Sequence, residues 1–163
     1  MATKTKTGKT EKEIEKITSQ LLDKLEVKAN IVVTKETDED KAIHFKVGIQ
    51  TEETGLLIGH HGETLNSLQL LLGIILYKNL GEWTRVILDV GEYRKMREES
   101  IKEMVGRIIS EVESTNQPVI LPFLTPFERR IVHLMLAENP KITSESQGEG
   151  RERRVVIKPR PAD

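Results

Sequence analysis

Two stretches of this chain hold residues whose types and spacing could do chemistry. The first is Gly55-Leu56-Leu57-Ile58-Gly59-His60-His61-Gly62-Glu63-Thr64-Leu65-Asn66, three glycines in eight residues set against an apolar run. Glycines at 59 and 62, between a short helical segment and a long helix, let the backbone turn tightly and leave it unshielded by side chains. The N–H groups and positive end of the following helix then favour a phosphate lying against the loop. The same Gly-x-x-Gly also serves as a plain corner between helices, with glycine present for geometry alone. His60 and His61 are mostly uncharged at neutral pH, since an unperturbed imidazole has a pKa of about 6.5. Adjacent histidines with no third ligand at a suitable spacing do not make a metal site, and no metal or cofactor is expected.

The second stretch is Arg129-Arg130-Ile131-Val132-His133. At about 100° per residue on a helix, Arg129, Arg130 and His133 share one arc, while Phe127, Ile131, Leu134 and Met135 occupy another that is expected to face the core. Arg129 and His133 lie one turn apart. A planar guanidinium beside an imidazole makes a pocket for one phosphate, and the same charges also fit an ordinary solvated face. Arg153 and Arg154, with Arg151, Lys158 and Arg160, add a basic edge suited to tracking a nucleic-acid backbone. Catalysis finds little support: there is no Walker loop, no Gly-x-Ser-x-Gly and no His-Glu-x-x-His, and the histidines are His44, His60, His61 and His133. The chain reads as a non-enzyme.

Two units must position these residues. Ile14, Ile17, Leu21, Leu22 and Leu25 recur at helical steps, giving a helix over 11–25. Ile31 and Val33, then Ile43, Phe45, Val47 and Ile49 alternating with polar neighbours, read as a β-hairpin. After the glycine loop, a helix over 63–77 carries so much apolar surface that burial on more than one side is expected. Val86, Leu88 and Val90 form a third strand closed by Gly91. The second unit opens with a helix over 92–114 striped by Ile101, Met104, Val105, Ile108 and Val112. A short strand at Val119–Leu121 follows. Thr125-Pro126-Phe127-Glu128 has the N-cap, first-turn proline and capping-box glutamate of a helix start. That helix is expected to stop near Asn139-Pro140, and residues 142–146 and 153–158 form a hairpin. The expected division is a flexible tail over 1–10, a first domain over 11–91, a second over 92–160 and a tail over 161–163.

Composition sets limits on this. Over 163 residues, 37% are hydrophobic, 31% charged and none is cysteine, which suits a globular protein without disulfides or thiol chemistry. No apolar run is long enough to span a bilayer. Residues 1–91 hold 12 Lys+Arg against 14 Asp+Glu and residues 92–163 hold 13 against 12, so the net charge is −2, then +1. A polyanion would therefore be held by local groups rather than by a whole-surface field. Aromatic residues are 4%, and Tyr93, Phe123 and Phe127 are the candidates for stacking a base.

Ile58, Gly59, Gly62 and Leu65, after a hairpin and before a buried helix and a third strand, resemble a type II KH domain, whose loop clamps about four nucleotides of single-stranded backbone. RNA-binding members usually carry Lys or Arg at the two middle positions, which here are His60 and His61. Pro126, Glu128, Arg129, Arg130, His133, Ser146, Gly148, Glu149 and Arg153 to Ile157 are similar to an Arg-three-His (R-3-H) domain. Together the two units resemble the bacterial Jag family, also called SpoIIIJ-associated or KhpB proteins. The resemblance implies an α+β chain, a type II KH domain with a three-stranded sheet and helices on one face, followed by a small α/β R-3-H domain. It implies a cytoplasmic binder of single-stranded RNA, or of single-stranded DNA, that influences cell elongation and division. It further implies a KH-domain protein partner or a homodimer, and a peripheral link to the membrane-protein insertase. Longer members carry an additional N-terminal domain. The implied site is Gly59, His60, His61, Gly62, Arg129, Arg130, His133, Arg153 and Arg154. The competing reading is a protein-interaction module whose KH unit has lost its affinity for RNA.

Overall fold

The computed structural model describes residues 3–38 and 40–161. The chain divides into two compact units, Met1–Arg94 and Lys95–Asp163. In the first, helix α1 (Thr3–Lys24) packs Ile14, Ile17 and Leu22 inward and ends where Leu25 and Val27 both donate to the Leu22 carbonyl. The helix begins at Thr3, so residues 3–10, expected as a tail, are helical. The expected tail residues 162 and 163 lie outside the described residues.

Strands β1 (Asn30–Thr37) and β2 (Ile43–Gln50) pair antiparallel with Val33 opposite Val47, and β3 (Val86–Val90) runs parallel to β2 with Leu88 beside Val47, giving the order β1-β2-β3. Alternation along β2 and β3 turns Phe45, Val47, Ile49, Val86, Leu88 and Val90 to one face, where they meet Leu65, Leu68, Leu72 and Leu76. Those leucines belong to α3 (Glu63–Leu80), which follows the short α2 (Thr54–Ile58) and closes on Gly81 in the left-handed conformation, its N–H bonded to the Tyr77 carbonyl. The expectation that α3 is buried on more than one side is corrected here. Leu70 is 61% exposed, and Leu71, Ile74 and Tyr77 are exposed with it. Among the described residues the unit has one sheet, which together with α1 covers one stripe of the helix, and the leucines at three- and four-residue steps take that place.

The second unit is built on α4 (Tyr93–Thr115), which buries Ile101, Val105 and Val112 with Met104 and Ile108 beside them. Strands β4 (Val119–Ile120), β5 (Ile142–Gln147) and β6 (Arg154–Pro159) form an antiparallel sheet in the order β4-β6-β5, with Ile157 paired to both Val119 and Ser144. Helix α5 (Pro126–Leu136) starts as its sequence requires: the Thr125 hydroxyl accepts from the Glu128 N–H and the Glu128 carboxylate accepts from the Thr125 N–H at 2.7 Å. Its buried stripe is Glu128, Val132 and Leu136. Phe127, 68% exposed, and Leu134, 65% exposed, point away from the core to which the sequence assigned them. The stripe is rotated because Glu128 takes a core-facing position, where the carboxylate is satisfied by the Thr125 N–H and by Arg97 at 2.7 Å.

Candidate nucleic-acid interface

In the first unit the glycine loop is a single 3-10 turn, His60–Gly62, between α2 and α3. Gly59 sits at φ 67°, ψ −168°, a region essentially confined to glycine, and a Cβ there would lie 2.0 Å from the Thr64 hydroxyl. Gly62, at φ 81°, is buried against the Tyr93 ring, 3.0 Å from where its Cβ would be. Between them His61 adopts φ 51°, and its ring meets that of exposed His60 edge-on at 4.1 Å. Gly62 caps α3 with no side chain, and the Glu63 N–H in the first turn of the helix donates to the His60 carbonyl. Glu63 in that turn already supplies one negative charge to the helix end.

Alongside α3 runs a groove of about 320 Å³, lined by Asn66, Gln69, Leu70 and Gly73 on the helix and by Trp83 to Ile87 leading into β3. Since β3 is an edge strand, its outward backbone groups need partners. Leu88 has them: its N–H donates to the Gln69 side chain at 2.9 Å, and its carbonyl accepts from Arg94 Nε at 2.8 Å. Arg94 Nη2 also donates to Gln69 Oε1 at 2.9 Å, and burial lowers its pKa against the opposing pull of Asp89. Trp83, 63% exposed, lies against Gly73 and tilts toward Tyr77, with ring centroids 6.2 Å apart. It offers an aromatic face at the groove.

In the second unit a groove of about 730 Å³ is lined by Arg129, Arg130 and His133 of α5, Ser144 to Ser146 of β5, and Arg153. Arg129 Nη1 donates to the Leu124 carbonyl at 2.9 Å, which fixes the guanidinium at the start of the helix. His133 is held from both sides: Nδ1 is 2.7 Å from the Ser144 hydroxyl and Nε2 is 2.8 Å from that of Ser146. Burial first, then the charges of Arg129 and Arg153, keep its pKa below the ordinary 6.5. Glu145 is the carboxylate of the groove, and Lys158 bonds it at 2.5 Å and lowers its pKa.

Of the residues singled out by sequence, Gly59, His60, His61 and Gly62 share one loop, and Arg129, Arg130, His133 and Arg153 share one groove. Arg154 is not among the residues of that groove. It lies over the Phe123 ring at 5.5 Å and donates to the Arg151 and Arg153 carbonyls. Lys158 and Arg160 are likewise engaged, with Glu145 and with the Asn139 carbonyl. Sequence reading missed Ser144, whose signal is the Ser-x-Ser alternation that puts two hydroxyls on one face of a strand. It also missed the α3–β3 groove and Trp83. Among the described residues no helix is long and apolar enough to cross a membrane.

Comparison with known proteins gives two family matches. Residues 11–90 match the model described as KhpA/KhpB, KH domain, and residues 99–159 match the R-3-H domain. A Clostridium symbiosum protein named RNA-binding protein KhpB is 32% identical over 139 residues, covering 85% of this chain and 61% of that protein. Proteins of the same name from Lactiplantibacillus plantarum and Bacillus subtilis are 34% and 33% identical, over 82% and 67% of this chain and 42% and 53% of theirs. The chain thus spans about two fifths to three fifths of the length of these relatives.

Proposed function

Because this chain belongs to the KhpB (Jag) family, with a KhpA/KhpB-type KH domain followed by an R-3-H domain, we propose that it binds single-stranded RNA without catalysis. One observation carries the reading: Arg129, Arg130 and Arg153 converge on a single groove whose only lining carboxylate, among the described residues, is held by Lys158. Three cations around serine hydroxyls suit a phosphate, and bidentate guanidinium geometry suits it better than ammonium. At the other site the Gly59–Gly62 backbone takes the sugar–phosphate chain, and the groove along α3 takes bases against Trp83, since every base has a face to stack. With neither Lys nor Arg at positions 60 and 61 the loop is a weak site. Two weak sites on one chain gain by effective concentration. A role in cell elongation and division, exercised through the RNAs bound, belongs to the same reading.

The test is fluorescence anisotropy with a short single-stranded RNA across a salt series. Affinity falls linearly with salt on logarithmic axes, and Arg129→Ala and His61→Asp each weaken it. A flat salt response, or no loss in either variant, overturns the reading. A second reading rests on the exposed Leu70, Leu71, Ile74 and Tyr77 of α3: the KH unit pairs with another KH-domain protein or with a second copy. Sedimentation showing such a pair with no RNA carried along favours it.

A further inference from the structure

Taking the Arg129 groove as a phosphate-binding surface, on which this step rests, we infer that Ser144 and Ser146 are its direct phosphate contacts. His133 is then a positioning residue that takes up a proton when RNA binds, turning both hydroxyls into donors.

Hydrogen-bond bookkeeping at one imidazole leads there. Ser144 and Ser146 project from the same face of β5 and flank the His133 ring, one at each nitrogen, at 2.7 and 2.8 Å. A neutral imidazole has one donor nitrogen and one acceptor nitrogen, and a serine hydroxyl has a single hydrogen. Whichever tautomer is present, one serine must give its hydrogen to the ring. That serine turns only lone pairs toward the groove, which a phosphate oxygen repels, while the other serine keeps its hydrogen to donate. A proton from solvent on the acceptor nitrogen changes this. Both ring N–H groups then donate, both serine oxygens accept, and both hydroxyl hydrogens are released toward the groove. The imidazolium, which itself lines the groove, stabilises the bound anion through the serines.

The charges around the ring make proton and phosphate cooperate. Arg129 and Arg130 face the groove from α5, Arg153 from the segment before β6, and Glu145, paired with Lys158, from β5. In the free protein, burial together with Arg129 and Arg153 opposes a proton on His133. A phosphate among the arginines offsets their charge and asks for hydroxyl donors, so its arrival favours the protonated ring. Linkage is reciprocal: if phosphate favours the proton, lower pH must favour the RNA.

Calorimetry of the full chain with a short single-stranded RNA at neutral pH, repeated in buffers of different ionisation enthalpy, counts the protons taken up. Net uptake that is larger in the parent than in His133→Asn is expected; the difference excludes His44, His60 and His61 as its source. Combining Ser144→Ala with Ser146→Ala should weaken RNA binding about tenfold or more, even at pH 6 with His133 in place. Ser146→Thr, which keeps the hydroxyl, should retain most of the affinity, so a loss in the double variant through misfolding is recognised by its melting temperature and by this control. Equal uptake in parent and His133→Asn overturns the inference, as does parent-like RNA affinity in a folded serine double variant, and both leave RNA binding by Arg129 standing. A parent chain that binds no RNA overturns the proposed function and this inference together.

Discussion

Arg97 of α4 donates from Nε to Glu128 Oε1 on α5 at 2.7 Å, and that carboxylate is 5% exposed as a residue. The other oxygen of the same carboxylate accepts the Thr125 N–H. One buried acid therefore closes a helix start and neutralises a cation from a neighbouring helix. Buried ions are costly unless every lone pair finds a partner, and here both oxygens do.

Glu128→Ala should destabilise the second unit by about 3–5 kcal/mol, because it leaves Arg97 partly buried without its partner. Thr125→Ala, which removes only the cap, should cost about 1 kcal/mol. Urea unfolding of the two variants gives the comparison. Equal costs would mean that the ion pair adds nothing to the cap.

Gly59→Ala is expected to destabilise the first unit by about 1–3 kcal/mol from backbone strain alone, and by more if Thr64 cannot move away from the new Cβ at 2.0 Å. Adding Thr64→Ala should restore only part of the loss, since it removes the hydroxyl but keeps the Thr64 Cβ, 2.7 Å from the new one. His60→Arg, at an exposed position, should instead leave stability unchanged and steepen the salt dependence of RNA binding by about 0.7 in logarithmic slope.

The capped start of α5 was legible because Thr125, Pro126 and Glu128 interact within a single turn, as were the strands whose apolar residues alternate. What sequence could not supply was the surroundings of each element. The apolar content of α3 told how much greasy surface exists but not how much of it the sheet reaches, and Ile74 ends up exposed beside buried Leu72. On α5, helical periodicity fixed which residues share a face but not which face turns inward; Glu128 decided that through Arg97, a residue 31 positions away. Ser144 escaped notice for the same reason. Its bond to His133 depends on how the β5–β6 hairpin packs against the helix, and spacing along the chain does not encode that.

The corrected burial of α3 is open to direct measurement. Leu72→Ala should cost about 2–5 kcal/mol as a core truncation, whereas Ile74→Ala on the exposed face should fall within about 0.5 kcal/mol of the parent. A large loss at Ile74 in dilute solution would show that its face is covered, as pairing with a second chain requires, and should then depend on protein concentration.

His133 makes the second unit sensitive to acid. Its pKa in the folded chain lies below the ordinary 6.5, so the unfolded state binds the proton more readily. The stabilisation is fully present above about pH 6.5 and is lost as pH falls through the folded value. Amide exchange of second-unit residues should therefore report falling stability from pH 7 downward, with a shallower slope in His133→Asn. An identical slope in both would assign the acid sensitivity elsewhere.

Arg129→Lys separates charge from geometry at the same groove. The arginine spends Nη1 on the Leu124 carbonyl at 2.9 Å, and its planar fork still leaves N–H groups for a phosphate. An ammonium is a point donor on a flexible stem and cannot hold both partners in fixed directions. Lysine should thus keep the salt slope of RNA binding, which counts charge, while lowering affinity by about tenfold, the loss of roughly one charge-assisted hydrogen bond. Arg129→Ala should lower both. If lysine binds as well as arginine, the Leu124 anchor has no part in recognition and the groove acts through its net charge alone.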